Sequence, residues 1–169
     1  FIIYKLYIMN SSFRQGMFFG ANSGILTTVG LISGLVHTKI TKNYLIISII
    51  SLAIADSISE AYGMYISKKA ENINDDSQNP IYALSGLLIM KFFIVISFLI
   101  PFLFSNNMKY FKNLHWIIWW SLFLISIIDY NISKLREESL AKYLIPHIFV
   151  LFLVVYLTQY FGKMIEKFK

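Results

Sequence analysis

The sequence has no cysteine and little charge: Asp, Glu, Lys and Arg make up 14% of its 169 residues. Without cysteine, neither a disulfide framework nor a thiolate metal site is open to it. With 57% hydrophobic residues, it has too little polar surface to cover a soluble core of this length. Enzyme signatures are missing as well. There is no H-E-x-x-H, no G-x-S-x-G and no pair of histidines at metal spacing, so the chain does not read as an enzyme. His37 and His115 fall at the interface remote from the acidic residues discussed below. The net charge of +6 fits loop lysines at lipid headgroups better than nucleic-acid binding.

What is present is apolar length. Five stretches are long enough to cross a bilayer, which takes about 20 mainly apolar residues. They run over about 17–37, 43–67, 81–105, 113–133 and 143–162. The links "TKITK", "KKAENINDDSQNP", "NNMKYFK" and "KLREESLAK" are too short for a soluble domain. The reading is an all-α polytopic membrane protein in one domain, 1–169. Tyr44, Trp116, Trp119 and Tyr160 at one set of ends, with Tyr82 and Tyr143 at the other, fit interfacial aromatic belts. The opening "FIIYKLYI" reads as the tail of a longer chain or as an extension before a start at Met9, not as a signal peptide. Lysines and arginines divide seven against seven between the two sides, so charge gives no orientation.

The informative residues are those that do not belong in lipid. Asp56 and Glu60 sit in the second stretch, Lys91 in the third, Asp129 in the fourth, His147 in the fifth, and Asn22 with Ser23 in the first. At a rise of about 1.5 Å per residue, all fall within about 9 Å of mid-span, on the side of the N-terminus. A charge near the bilayer centre costs at least about 2.5–3.5 kcal/mol. Such groups must therefore face one another, water or an ion. Lys91 with Asp56 fits a structural ion pair between two helices. The wider set, with His147 and Asp129 as proton relays, fits a polar path or cation site.

Asp56, Ser59, Glu60, Gly63, Met64 and Ser67 recur at three- and four-residue spacing, which puts them on one helix face. Carboxylate oxygen suits hard divalent cations, and thioether sulfur tolerates softer ones. The mixture favours Fe²⁺ or Mn²⁺ over Mg²⁺. Gly20, Gly24, Gly30 and Gly34 form small-xxx-small pairs, which serve close helix packing within one chain or in a dimer. Pro101 predicts a kink that frees a carbonyl toward the path.

"FFGANSGILTTVGLISGL" resembles the first helix of the vacuolar iron transporter family, with its F-G-x-x-D-G-L-V-T pattern. "ADSISEAYGMYISKKAE" resembles that family's second helix, A-G-x-x-S-M-A-x-G-E-Y-x-S, with Ala55, Ser59, Ala61, Gly63, Tyr65 and Ser67 in register. "IPFLF" and "DYNISK" are similar, more loosely, to parts of its third and fourth helices.

The resemblance implies a five-helix homodimer that exports Fe²⁺ or Mn²⁺ from the cytosol in exchange for protons. The path would run along the dimer interface, lined by the first two helices, with the N-terminus cytosolic. The host would be a cell membrane or a vacuole-like organelle membrane. The ions are substrates, and no tightly bound cofactor is implied.

Five departures stand out. The family's first-helix acid falls at Ser23 here, its methionine at Glu60 and its second-helix glutamate at Met64. Asp56 replaces a small residue. The link "KKAENINDDSQNP" is too short for the cytosolic metal-binding domain that larger members of that family carry between helices two and three, so the resemblance implies a short form. The alternative is a non-transporting scaffold or accessory protein whose polar layer is a structural network.

Overall fold

The computed structural model describes residues 10–38, 40–71, 79–104 and 115–167. Met9 and the loop acids Asp75 and Asp76 lie outside them. Among the described residues the chain is all helical: α1 Ser11–Leu35, α2 Lys42–Ala70, α3 Pro80–Ser97, the short α4 Ile100–Phe104, α5 His115–Arg136 and α6 Leu140–Lys167. Five stretches are long and apolar enough to cross a membrane, with α3 and α4 together making the third.

The helix ends follow from local chemistry. The Asn10 side chain accepts from the Ser12 and Phe13 N–H groups at 2.9 and 3.4 Å, capping α1 ahead of its apolar run. Asn79 caps α3 through the Ile81 N–H at 2.9 Å, and Pro80 fills the first turn, where no N–H is needed. Lys68 and Lys69 lie in the last turn of α2, where positive charge meets the helix dipole. Several helices overrun the apolar stretches of the sequence, because backbone hydrogen bonding continues into polar ends that hydropathy does not mark.

α1 is the hub. It packs against α2, α3, α5 and α6, while α2 pairs with α3 and α5 pairs with α6. Its glycines make the close approaches possible. A Cβ built at Gly20 would lie 2.6 Å from the Leu87 carbonyl oxygen, and one at Gly16 would fall on the Ala83 carbonyl. Gly86 of α3 in turn meets the Phe13 carbonyl. Toward its other end α1 turns to α6, where Gly30 faces Val154, Gly34 faces Thr158 and Gly162 lies on the Gly34 carbonyl. Gly24 meets the side chains of Ile94 and Lys91. All four glycines that left dimer packing open are therefore taken up inside one chain. Gly63 differs, with no atom within 4 Å of a Cβ built there.

α3 ends at Ser97, one turn before Pro101. The Phe98 and Leu99 N–H groups turn back to Val95 and Ile96 at 3.2 and 2.9 Å. Proline has no N–H for the Ser97 carbonyl and its ring crowds that turn. The break packs beside Trp116, Trp119 and Trp120 of α5, not beside the acids. Trp120 donates from its indole N–H to the Ser97 hydroxyl at 3.1 Å. The break expected to face a polar path thus adjoins an aromatic corner.

Candidate cation site

Asp56 and Glu60 are one turn apart on α2, so both reach the same neighbour. That neighbour is Lys91 of α3. Its Nζ lies 2.5 Å from Asp56 Oδ2 and 2.7 Å from Glu60 Oε2. It also donates to the Ser23 hydroxyl of α1 at 3.0 Å, and Ser23 donates on to Glu60 Oε1 at 2.8 Å. Three helices therefore converge on one ammonium group. The Lys91 side chain is fully buried, while each acid keeps 28% of its side chain exposed. The carboxylates are open on one side and the lysine is sealed behind them.

The stem of Lys91 runs past Gly24, where a built Cβ would stand 3.3 Å from its Cγ. A side chain at position 24 would crowd the stem; glycine keeps the α1 backbone clear of it.

The residues that spacing put on one α2 face divide in two. Leu45, Ile49, Ala53, Ser57 and Ala61 form the buried stripe of α2. Asp56, Glu60 and Met64 flank it and are half-buried, whereas Ser59, Gly63 and Ser67 face outward. Spacing fixes which residues neighbour each other, but the rotation of the helix against α3 decides which of them turn inward.

Asn22 and Ser23 part company for the same reason. Successive helical residues are separated by about 100°, so neighbours point to different partners. Ser23 serves Lys91 and Glu60. Asn22 lines a cleft of about 480 Å³ on the other side of α1, together with Phe18, Asp129, Tyr143, Pro146 and His147. There Asp129 is 3% exposed. The His147 Nδ1 lies 3.2 and 3.3 Å from its two carboxylate oxygens. His147 Nε2 and Asn22 Oδ1 are buried and have no hydrogen-bond partner among the described residues.

The single polar layer expected from depth is thus two clusters, with α1 between them. The sequence pointed to all these positions, but it did not show Glu60 as a second partner of Lys91 or the pairing of Asp129 with His147. Both pairings join residues of neighbouring helices at similar depth, and helix rotation, which a single sequence does not give, decides them. Gly16, Gly86 and Gly162 were missed as contact residues, although each lies in a helical apolar run where glycine has no local use.

Chemically, Asp56, Glu60 and Ser23 offer carboxylate and hydroxyl oxygens to one point, a donor set for a hard or borderline cation. Among the described residues no three His, Asp or Glu side chains come together as a metal-binding group.

No curated protein and no solved structure matches the chain. A family model described as the VIT family matches residues 15–81, which include most of α1 and all of α2, the helices that supply Ser23, Asp56 and Glu60. The match covers 67 of the 169 residues, fewer than half, so it is a likeness of these two helices to that family.

Proposed function

We propose that this chain moves Fe²⁺ or Mn²⁺ across a membrane as a homodimer, exporting the ion from the cytosol in exchange for protons. The likeness of the first two helices to the VIT family supports a membrane metal-ion transporter. The observation that carries the finer reading is the convergence of Asp56, Glu60 and Ser23 on one point, with both acids partly open. Buried acids are costly unless a cation faces them, and a site that keeps an open side exchanges that cation.

In this reading Asp56 and Glu60 hold the ion and Ser23 orients Glu60. Ser59 and Met64 approach from the open side, where a second copy would close the path. Asp129 and His147 pass protons on the far side of α1, with Asn22 beside them. The test is uptake of Mn²⁺ into proteoliposomes under an imposed pH gradient. Wild type is expected to concentrate Mn²⁺, and Glu60→Ala to fall to the level of empty vesicles. Full uptake by Glu60→Ala would end the assignment.

The Lys91 ion pairs also favour a second reading, a non-transporting scaffold or accessory subunit held together by its polar network. Strong stability coupling between Lys91 and Asp56 in a double-mutant cycle, together with no uptake by wild type, would select it.

A further inference from the structure

We infer that Lys91 is a tethered competitor for the transported ion. Its ammonium fills the place between Asp56 and Glu60 that a divalent cation would take, and the cation binds by displacing it. The inference deepens the transport reading of this site and rests on it.

Three observations carry it. First, the contacts are those of an occupied cation site. Nζ lies 2.5 and 2.7 Å from two carboxylates and 3.0 Å from a hydroxyl, so no second cation fits among the same oxygens while the ammonium is there. Second, access has a direction. The acids are 28% exposed and the lysine is not exposed at all, so an arriving ion meets the carboxylates first, with the lysine behind them. Third, α1 sets no side chain of its own against the Lys91 stem at Gly24, and the flexible four-carbon stem is the part that shifts when the head group is displaced.

Charge decides the stoichiometry. Two carboxylates and one ammonium leave a single negative charge. A divalent ion added to all three would make the pocket net positive, and one that displaces the ammonium makes it neutral. The second arrangement neutralises the two carboxylates themselves and moves the ammonium's charge off the oxygen cluster. The empty site is likewise spared two bare carboxylates. The competitor also weakens binding, which a carrier needs if the ion is to leave again.

The experiment is Mn²⁺ titration of the detergent-solubilised full chain by calorimetry, with thermal midpoints measured with and without Mn²⁺. Lys91→Met removes the competitor and is expected to bind Mn²⁺ about tenfold or more tightly than wild type. It should also be less stable without metal, and gain more in midpoint from Mn²⁺. Lys91→Arg, which keeps the charge, should not gain affinity.

If Lys91→Met fails to fold, Asp56→Asn and Asp56→Asn/Lys91→Met decide the matter. The double variant keeps one unblocked carboxylate and is expected to bind Mn²⁺ more tightly than Asp56→Asn. A wild type that transports Mn²⁺ while neither lysine-free variant binds more tightly than its parent would overturn the competitor and leave transport standing. Absence of Mn²⁺ uptake by wild type and of binding by every variant would overturn both.

Discussion

Ser23 is the smallest member of the acidic cluster and the one on which its geometry turns. Its hydroxyl accepts from Lys91 and donates to Glu60, so it ties α1 to both. Ser23→Ala leaves a buried ammonium and a carboxylate each short of one hydrogen bond, at a cost of about 1–3 kcal/mol. A lower thermal midpoint in detergent would register it; an unchanged midpoint would mean that Ser23 only lies nearby. Ser23→Asp puts a carboxylate where the resembled family carries one. It should keep the fold, since Lys91 faces that position, and increase Mn²⁺ affinity in the same calorimetric titration. At the second cluster, Asp129 and His147 are each other's principal polar partner. Their coupling in a double-mutant cycle of Asp129→Asn and His147→Ala is expected at about 0.5–3 kcal/mol. A cycle that closes to zero would make the contact incidental.

At the level of the helices, the turn between α5 and α6 shows how ends are set. The Glu138 N–H reaches the Ser133 carbonyl at 3.0 Å and the Glu137 N–H reaches Lys134 at 3.4 Å, the two bonds of a Schellman cap. Glu137 stands at the left-handed position with φ 56°, which an L side chain adopts at a cost. Glu137→Gly is expected to stabilise the chain by up to about 1 kcal/mol, after the glycine's own entropy in the unfolded state is subtracted. The midpoint of thermal unfolding measures it, and a fall would refute the strain.

The same turn carries a pH dependence. Hydrogen bonds from Lys142 and then Tyr143 hold the Glu138 carboxyl below its ordinary value. A lowered folded-state value means that the contribution is present above the ordinary carboxylate range and fades as pH falls through the depressed one. Wild type should therefore exceed Glu138→Gln in midpoint near neutral pH and lose that advantage in acid. A constant difference would show that Glu138 acts through packing alone.

Helix packing makes a sharper demand. A methyl at Gly86 would fall on the Phe13 carbonyl, so Gly86→Ala must push α1 and α3 apart. About 1–3 kcal/mol of destabilisation is expected. Gly63→Ala, which meets nothing within 4 Å, should leave the midpoint unchanged. The sequence did not foretell this contrast. A glycine in an apolar run marks a possible close approach, but only the partner helix decides whether one occurs. The five spans were legible because bilayer thickness fixes their length, and Asp56, Glu60 and Lys91 because charge in such a span needs a reason. Which side of α1 each polar group would face was not legible, since adjacent Asn22 and Ser23 are about 100° apart and tertiary packing sets that angle.

At the scale of the whole molecule, the question is what covers the outer face of α2. Ser51, Ala55, Ser59, Gly63 and Ser67 are all exposed and recur every fourth residue. In lipid, small residues in such a row let a second helix approach closely, whereas lipid chains gain little from them. The row runs beside Asp56 and Glu60, so a second copy seated there would enclose both acids, as the proposed homodimer requires. The absence of cysteine makes this directly testable, because any cysteine introduced is the only one. Ser59→Cys, on the row, is expected to cross-link to itself when membranes carrying the protein are oxidised. Phe152→Cys, on the exposed side of α6, is expected to remain monomeric. Gly63→Leu added to Ser59→Cys should abolish the cross-link while leaving the packing within each copy intact, since position 63 touches nothing within its own chain. Cross-linking through position 152 but not 59 would move the dimer face to α6, and the acids would then have to exchange their cation with no second copy beside them.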